Sequence, residues 1–271
     1  MSTLTRKLSS LAADTTAGVP PDCRTEFVCP EESSRYAGML EQMVFSRLRD
    51  APADTAVVEF GSGTGAPIVA ALLNSGFMGV VHGYEINPVA AAEARTLIGE
   101  HGLVRQYVVH NASFFDRASL TIPPPAADYL IANPPYVPCE TGESLTLPDL
   151  WGGIDGIDIS KRLLSCGYRN VFLLISSYSN PAALVEHARG CGYRVSDFQV
   201  SKMSFGVYSR QDRVQRRIHE MRAAGTAFFT DNCYLVGGAV FTKEAGDTDD
   251  LSAEFLACLV SQGKPFPNPS T

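Results

Sequence analysis

Ala56-Val57-Val58-Glu59-Phe60-Gly61-Ser62-Gly63-Thr64-Gly65-Ala66 is the stretch that decides the fold. Its first five residues read as a short buried strand, and Ala66 to Asn74 reads as a helix, so three closely spaced glycines join strand directly to helix. Such a turn opens a βαβ unit, with the backbone free to bend sharply and to lie against a bound cofactor where a Cβ would collide. Taken alone, it is equally compatible with a nicotinamide or a flavin site.

Working outward, further strands are expected at Val80 to Ile86, Gln106 to His110, Ala127 to Ala132, Val171 to Ser176, Tyr193 to Val200 and Tyr234 to Phe241. Helices are expected at Pro88 to Glu100, Ile157 to Cys166 and Pro181 to Cys191. Regular alternation of this kind builds parallel βαβ units. The predicted fold is α/β: a Rossmann-like, doubly wound, mostly parallel seven-stranded sheet with an antiparallel last strand and helices on both faces. Residues 1–50 read as an N-terminal extension. Its one packing helix runs from Ser33 to Arg49, with a hint of a second at Leu8 to Ala13. Residues 51–245 read as the main domain and 246–271 as a C-terminal tail. Within the main domain, Ser201 to Asn232 separates the last two strands by more chain than a hairpin needs and is read as an insertion, a lid or docking surface. It carries a basic helix, Arg210 to Arg222, in a chain whose net charge is -7, and that helix reads first as a solvated face and otherwise as part of the lid or docking surface.

Hydrophobic content of 45% and charged content of 19% are ordinary for a soluble globular protein. The acidic balance lowers the rank of nucleic acid as a partner, since duplex binding calls for a basic footprint. Seven scattered cysteines with no Cys-x-x-Cys pair and no His at ligand spacing read as reduced thiols, with no metal site. No apolar region follows the amino terminus, and no apolar run reaches about eighteen residues, so a cytoplasmic location is expected, away from any membrane.

The chemistry is expected where strands end. Glu85 stands at the carboxyl end of the second strand, twenty residues beyond Gly65, placed to accept hydrogen bonds from both hydroxyls of a ribose. Glu59 at the entrance of the glycine turn would repel a pyrophosphate and suits a cofactor bearing an ammonium group. S-adenosylmethionine has that ammonium and no phosphate. Ile86 follows Glu85, and Ser113-Phe114 follows the third strand, where an adenine would lie. Phe115 reads equally as core.

Asn133-Pro134-Pro135-Tyr136 directly follows the fourth strand, and two prolines cannot continue it, so the tetrapeptide turns at the sheet's carboxyl edge. Asn133 offers an amide that donates and accepts, the prolines leave carbonyls without competing N–H groups, and Tyr136 adds a flat face. Together they suit a planar amide or amino nitrogen. Further on, Gly152-Gly153-Ile154-Asp155-Gly156 reads either as a functional loop or as a flexible approach to the helix near Ile157 that Asp155 could cap. Trp151 and Cys139 flank that loop.

The series Glu59 to Gly65, Glu85, Ser113-Phe114 and Asn133 to Tyr136 resembles class I S-adenosylmethionine-dependent methyltransferases with the Asn-Pro-Pro-Tyr signature. Trp151 to Ile157 and Phe27-Val28-Cys29-Pro30 are similar to segments of the release-factor glutamine methyltransferase family; Ser113 stands where that family usually carries Asp. The resemblance implies S-adenosyl-L-methionine as cofactor, held by Glu59, Gly61, Gly63, Gly65, Glu85, Ile86, Ser113, Phe114 and Asn133. It also implies N-methylation of a planar amide or amino nitrogen, on a protein glutamine or a small molecule, with Asn133, Pro134 and Tyr136 at the acceptor. The alternatives are a nucleobase amino group as acceptor, a non-catalytic partner subunit of the same fold, and a nicotinamide-dependent oxidoreductase.

Overall fold

A computed structural model describes residues 29–116, 127–243 and 249–261. The expected helix Leu8 to Ala13, Cys23 and the Phe27-Val28 pair lie outside these residues. Seven strands form one sheet in the order β3-β2-β1-β4-β5-β7-β6: β1 Ala56–Phe60, β2 Val80–Glu85, β3 Tyr107–Asn111, β4 Tyr129–Ala132, β5 Asn170–Ser176, β6 Arg194–Ser204 and β7 Cys233–Thr242. Pairs among β1 to β5 are parallel, while β6 and β7 run antiparallel. Sheet type and antiparallel ending are as the sequence predicts.

The chain divides into two compact units, the first formed by Met1–Pro134 with Tyr168–Leu173. Its helix α1, Pro30–Leu40, begins three residues before the expected Ser33. Pro30 takes the first helical position, where a missing N–H costs nothing, and Glu31 and Glu32 complement the dipole in the first turn. From Leu40 the chain passes into a π-helical stretch, Glu41–Phe45, so regular helix stops short of Arg49. Tyr36, Ala37, Met39, Leu40, Met43, Val44 and Phe45 are all buried. Each of the larger apolar side chains stabilises the fold by roughly 1.5–3 kcal/mol. Ala37 packs on Ala70 and Ala66 of helix α2, Ala66–Ser75, and such small residues let the two helices approach closely.

The next helix, α3, Pro88–Glu100, lies against β2 and β3 and has the bounds expected. Asn87 caps it, its Oδ1 accepting from Val89 N at 2.9 Å and Ala90 N at 3.4 Å. The strand register sets Glu59 opposite Gly83 on β2 and Ile131 on β4.

Between β2 and β3, the rings of His82 and His110 stack 5.6 Å apart, with Nδ1 of one 3.3 Å from Nε2 of the other. That contact needs one donor and one acceptor, so at least one ring is neutral. Burial lowers the pKa of both, helped at His82 by His110 and at His110 by Arg95. With the folded values below the unfolded one, the unfolded chain binds more protons, and stability falls as pH drops below about 6.5. Urea titrations between pH 7 and 5 are expected to show this loss as a difference, the parent losing stability relative to the paired variant His82→Gln with His110→Gln as pH falls, whatever other groups contribute over the same range. An unchanged slope in that variant would assign the acid sensitivity elsewhere.

The second unit comprises Pro135–Gly167 and Leu174–Thr271. It holds α4 Asp158–Leu164, α5 Pro181–Gly190, α6 Asp212–Ala223 and α7 Ser252–Val260. β6 runs on to Ser204 rather than stopping at Val200, because Met203 faces inward and an edge strand tolerates Lys202 and Ser204 on its open side. The insertion is thereby shortened to residues 205–232. Its helix α6 turns Val214, Ile218 and Met221 inward and Arg213 and Arg216 outward. The expected tail contains α7, which packs on β6 and β7 through buried Phe255 and Leu259. Its apolar positions repeat every four residues, but a single short helix after an acidic stretch gave too little pattern to stand out.

Candidate functional site

β1 and β4 are neighbours at the point where strand order reverses, so the glycine turn and Asn133 emerge side by side at the carboxyl edge of the sheet. Gly61 and Gly63 both have left-handed backbones, φ 71° and 52°, and a Cβ on either would meet nothing within 4 Å. The top of the turn is therefore open. Glu85 braces it from β2: Oε2 accepts from Gly63 N at 2.8 Å and Oε1 from Asn87 N at 2.8 Å. Each carboxylate oxygen keeps a further lone pair.

Glu59, 2% exposed, accepts a 2.6 Å hydrogen bond from the Tyr107 hydroxyl. Burial pushes its carboxyl up to about 7, against the pull of the Tyr107 and Ser62 hydroxyls and with the charge of Glu85. Burial and Glu59 together raise the phenols of Tyr36 and Tyr107, so both remain hydroxyls. The Tyr36 hydroxyl is buried without a hydrogen-bond partner.

Asn133 carries a second orphaned atom. Its Nδ2 donates to Glu32 Oε1 at 2.7 Å, whereas its buried Oδ1 has no partner. A buried carbonyl oxygen left unpaired costs about 1–3 kcal/mol, so an N–H brought to it would be gripped. Glu32 and Tyr36 lie one helical turn apart on α1. Both were absent from the sequence-derived site, for first-turn glutamates usually face water and nothing in their spacing marks burial.

Of the remaining expected cofactor residues, Ile86 is 66% exposed just beyond β2 and presents an apolar surface. Asn111 Nδ2 holds this segment through the carbonyls of Glu85 and Ile86, at 2.9 and 3.1 Å. Ser113 is half-buried. Phe114 is a core side chain, edge-on to both Phe60 and Tyr84 at 5.7 Å, and Phe115 packs tilted on Phe60.

In the second unit, Tyr136 is 8% exposed, with its ring 5.8 Å from that of Tyr178 and its hydroxyl 3.5 Å from Tyr234's. Ser179 Oγ donates to the Tyr136 carbonyl at 2.8 Å. The glycine-rich loop closes on the same backbone. Gly152 N donates to Val137 O at 3.0 Å, and the Trp151 indole N–H to Cys139 O at 2.9 Å. Asp155 does not cap the following helix, which starts at Asp158 without a side-chain cap; its Oδ2 accepts instead from Asn180 Nδ2 at 3.1 Å. Asn180 is in the left-handed region, φ 46°, the one such non-glycine residue among those described. The loop is thus tied to the backbone that follows Tyr136, and the expected cap by Asp155 is the part of its reading that the structure corrects.

No protein-family model matches the chain, and no sequence relative is found among curated proteins. Solved structures do match it. The Pyrococcus horikoshii protein PH1948, provisionally assigned as an RNA methyltransferase, is 14% identical with a TM-score of 0.55 over 90% of this chain and 98% of that one. The METTL16 methyltransferase domain is 14% identical with a TM-score of 0.48, over 89% and 96%. TYW2 of M. jannaschii, in complex with AdoMet, is 15% identical with a TM-score of 0.43, over 79% and 75%. The match to PH1948 shows that this chain shares that protein's Rossmann-like fold.

The residues at the sheet edge fit S-adenosylmethionine. The open top of the glycine turn, the spare acceptor capacity of Glu85, the exposed apolar Ile86 and the unpaired Tyr36 hydroxyl suit a ligand with a ribose, a flat base and polar tail groups.

Proposed function

We propose that this chain is an S-adenosylmethionine-dependent N-methyltransferase whose acceptor is a planar amide or amino nitrogen, on a protein glutamine or a small molecule. The observation that carries this reading is the Asn133 Oδ1: a buried, unpaired acceptor at the carboxyl end of β4, in an amide whose other end is already held. When bound, the cofactor supplies a methyl group on a sulfonium, which leaves by in-line displacement.

The protein's part is to bind and orient. Glu85 takes the ribose hydroxyls, Ile86 the adenine face beside Ser113, and the turn at Gly61, Gly63 and Gly65 lets the backbone lie close, while the buried Phe114 supports the site from the core. Glu59 supplies negative charge toward the ammonium. Asn133 Oδ1 and the Pro134 carbonyl accept the two N–H bonds of the acceptor, favouring the positive charge that grows on nitrogen during transfer. No strong base is required beforehand, since the proton can leave to water after transfer.

A nucleobase amino group has the same two N–H bonds, and the likeness to PH1948 along nearly the whole chain favours it as the second reading. Transfer of tritium from labelled S-adenosylmethionine to a glutamine-containing peptide, compared with an adenine-containing RNA oligonucleotide, separates the two. The cofactor is tested by thermal shift. S-adenosylhomocysteine at 100 times its dissociation constant should add about 2.7 kcal/mol of stability, and NAD none. Stabilisation by NAD alone would leave an oxidoreductase as the better reading.

Glu59 makes this binding pH-dependent. Its folded pKa lies above the unfolded value, so the ligand-free protein loses stability from this group as pH rises from about 4.5 to about 7. A bound ammonium favours the carboxylate, so affinity for S-adenosylhomocysteine should rise between pH 6 and 8. Calorimetry on Glu59→Gln should show weaker, pH-independent binding; an unaltered pH profile would remove Glu59 from the cofactor site.

A further inference from the structure

We propose that Glu32 is a positioning residue for methyl transfer: from α1 it fixes the Asn133 amide so that Oδ1, and not Nδ2, faces the acceptor nitrogen. This rests on the reading of Asn133 as the acceptor-binding residue.

Two adjacent glutamates open α1, and the fold treats them differently. Glu31 is half-exposed and lies 4.0 Å from Arg35, an ordinary surface pair. Glu32 is 2% exposed and sends Oε1 to within 2.7 Å of Asn133 Nδ2, 101 residues along the chain. The distance lies at the short end of the range for N–H···O hydrogen bonds. With Nδ2 donating to Oε1, the NH2 end of the amide faces Glu32; turned over, Oδ1 would meet the carboxyl oxygen with two sets of lone pairs opposed. The free end of Asn133 is therefore an acceptor, the polarity that an acceptor nitrogen bearing two N–H bonds requires. The same bond draws electron density toward Oδ1, strengthening it as a partner for a nitrogen that becomes positive. A neutral side chain in place of Glu32 could hold the amide either way round.

The test has two arms on the full chain. In the first, the side-chain NH2 resonances of Asn133, assigned by their loss in Asn133→Ala, are followed by nitrogen-edited NMR. One proton should lie far downfield and exchange slowly in the parent, and should lose both properties in Glu32→Gln. Glu32→Asp, which keeps the charge one methylene farther away, should fall between them and serves if Glu32→Gln folds poorly. Unchanged resonances in either variant would overturn the proposal. In the second arm, the glutamine peptide is the methyl acceptor. Glu32→Gln should lower kcat about tenfold, with the KM for S-adenosylmethionine changed less than about twofold, and should add less than about twofold in an Asn133→Ala background. Losses that multiply independently would overturn it. Full turnover in Asn133→Ala, or no methylation of the peptide, would instead strike the proposed function, and the NMR arm still decides whether Glu32 orients the amide.

Discussion

Asn133→Ala should keep S-adenosylhomocysteine binding within a few-fold and lose methyl transfer by about two to three orders of magnitude. Loss of a single hydrogen bond that strengthens as charge develops costs about this much where such bonds have been removed from active sites. The geometry explains why the effect should fall on kcat. Oδ1 has no partner within the protein, so its hydrogen-bonding capacity is unspent until an acceptor N–H arrives. Cofactor contacts are spread over the glycine turn, Glu85 and Ile86, so deleting one amide leaves most of them. The substitution also leaves Glu32 without its Asn133 contact, and some loss of thermal stability is expected alongside. Single-turnover kinetics with the glutamine peptide and calorimetric titration with S-adenosylhomocysteine read the two effects separately. Turnover within twofold of the parent would sink the assignment of Asn133.

Gly152→Ala should be nearly as damaging, for a reason that concerns packing alone. A Cβ at Gly152 would sit 2.7 Å from Tyr136 Cα, 2.8 Å from the Pro135 carbonyl oxygen and 2.9 Å from Gly156 Cα. All three are backbone atoms, so no side chain can swing aside. Overpacking of this kind costs about 1–3 kcal/mol, and the backbone displaced is that of the Pro135-Tyr136 turn itself. The melting midpoint should fall by roughly 2–12 °C for a chain of this size, with turnover falling further than stability alone predicts. Gly190→Ala is the control, because a Cβ there meets nothing within 4 Å. If the two alanine variants melt together, the loop is not a clamp on the turn.

Several features could be read from residue order alone. The glycine turn after a buried strand, the alternation of strand and helix, and the proline pair that ends β4 are local patterns, and each reports on chain only a few residues away. The bounds of α3 were legible for the same reason, with Asn87 and Pro88 marking its start. Where local pattern fades, the sequence marks less than the fold holds. Polar Ser201 and Lys202 hid the last four residues of β6, and α7 was passed over as tail. Asp155 was placed near the right helix with the wrong partner, because its contact Asn180 lies 25 residues away and no spacing rule joins them.

The sequence by itself determined the sheet, the edge at which a ligand would bind and the identity of the side chains that end the strands there. Only the tertiary structure decided how those side chains are used. It buried Glu59 against Tyr107, set Glu85 under the glycine turn, and turned Glu32, which looks in sequence like any first-turn glutamate, inward to hold Asn133. The division has a physical cause. Strands, helices and turns follow from backbone sterics and the periodicity of apolar residues, which are written along the chain. A buried polar group is governed by the need for a partner, and that partner is supplied by whichever distant segment the fold brings within about 3 Å.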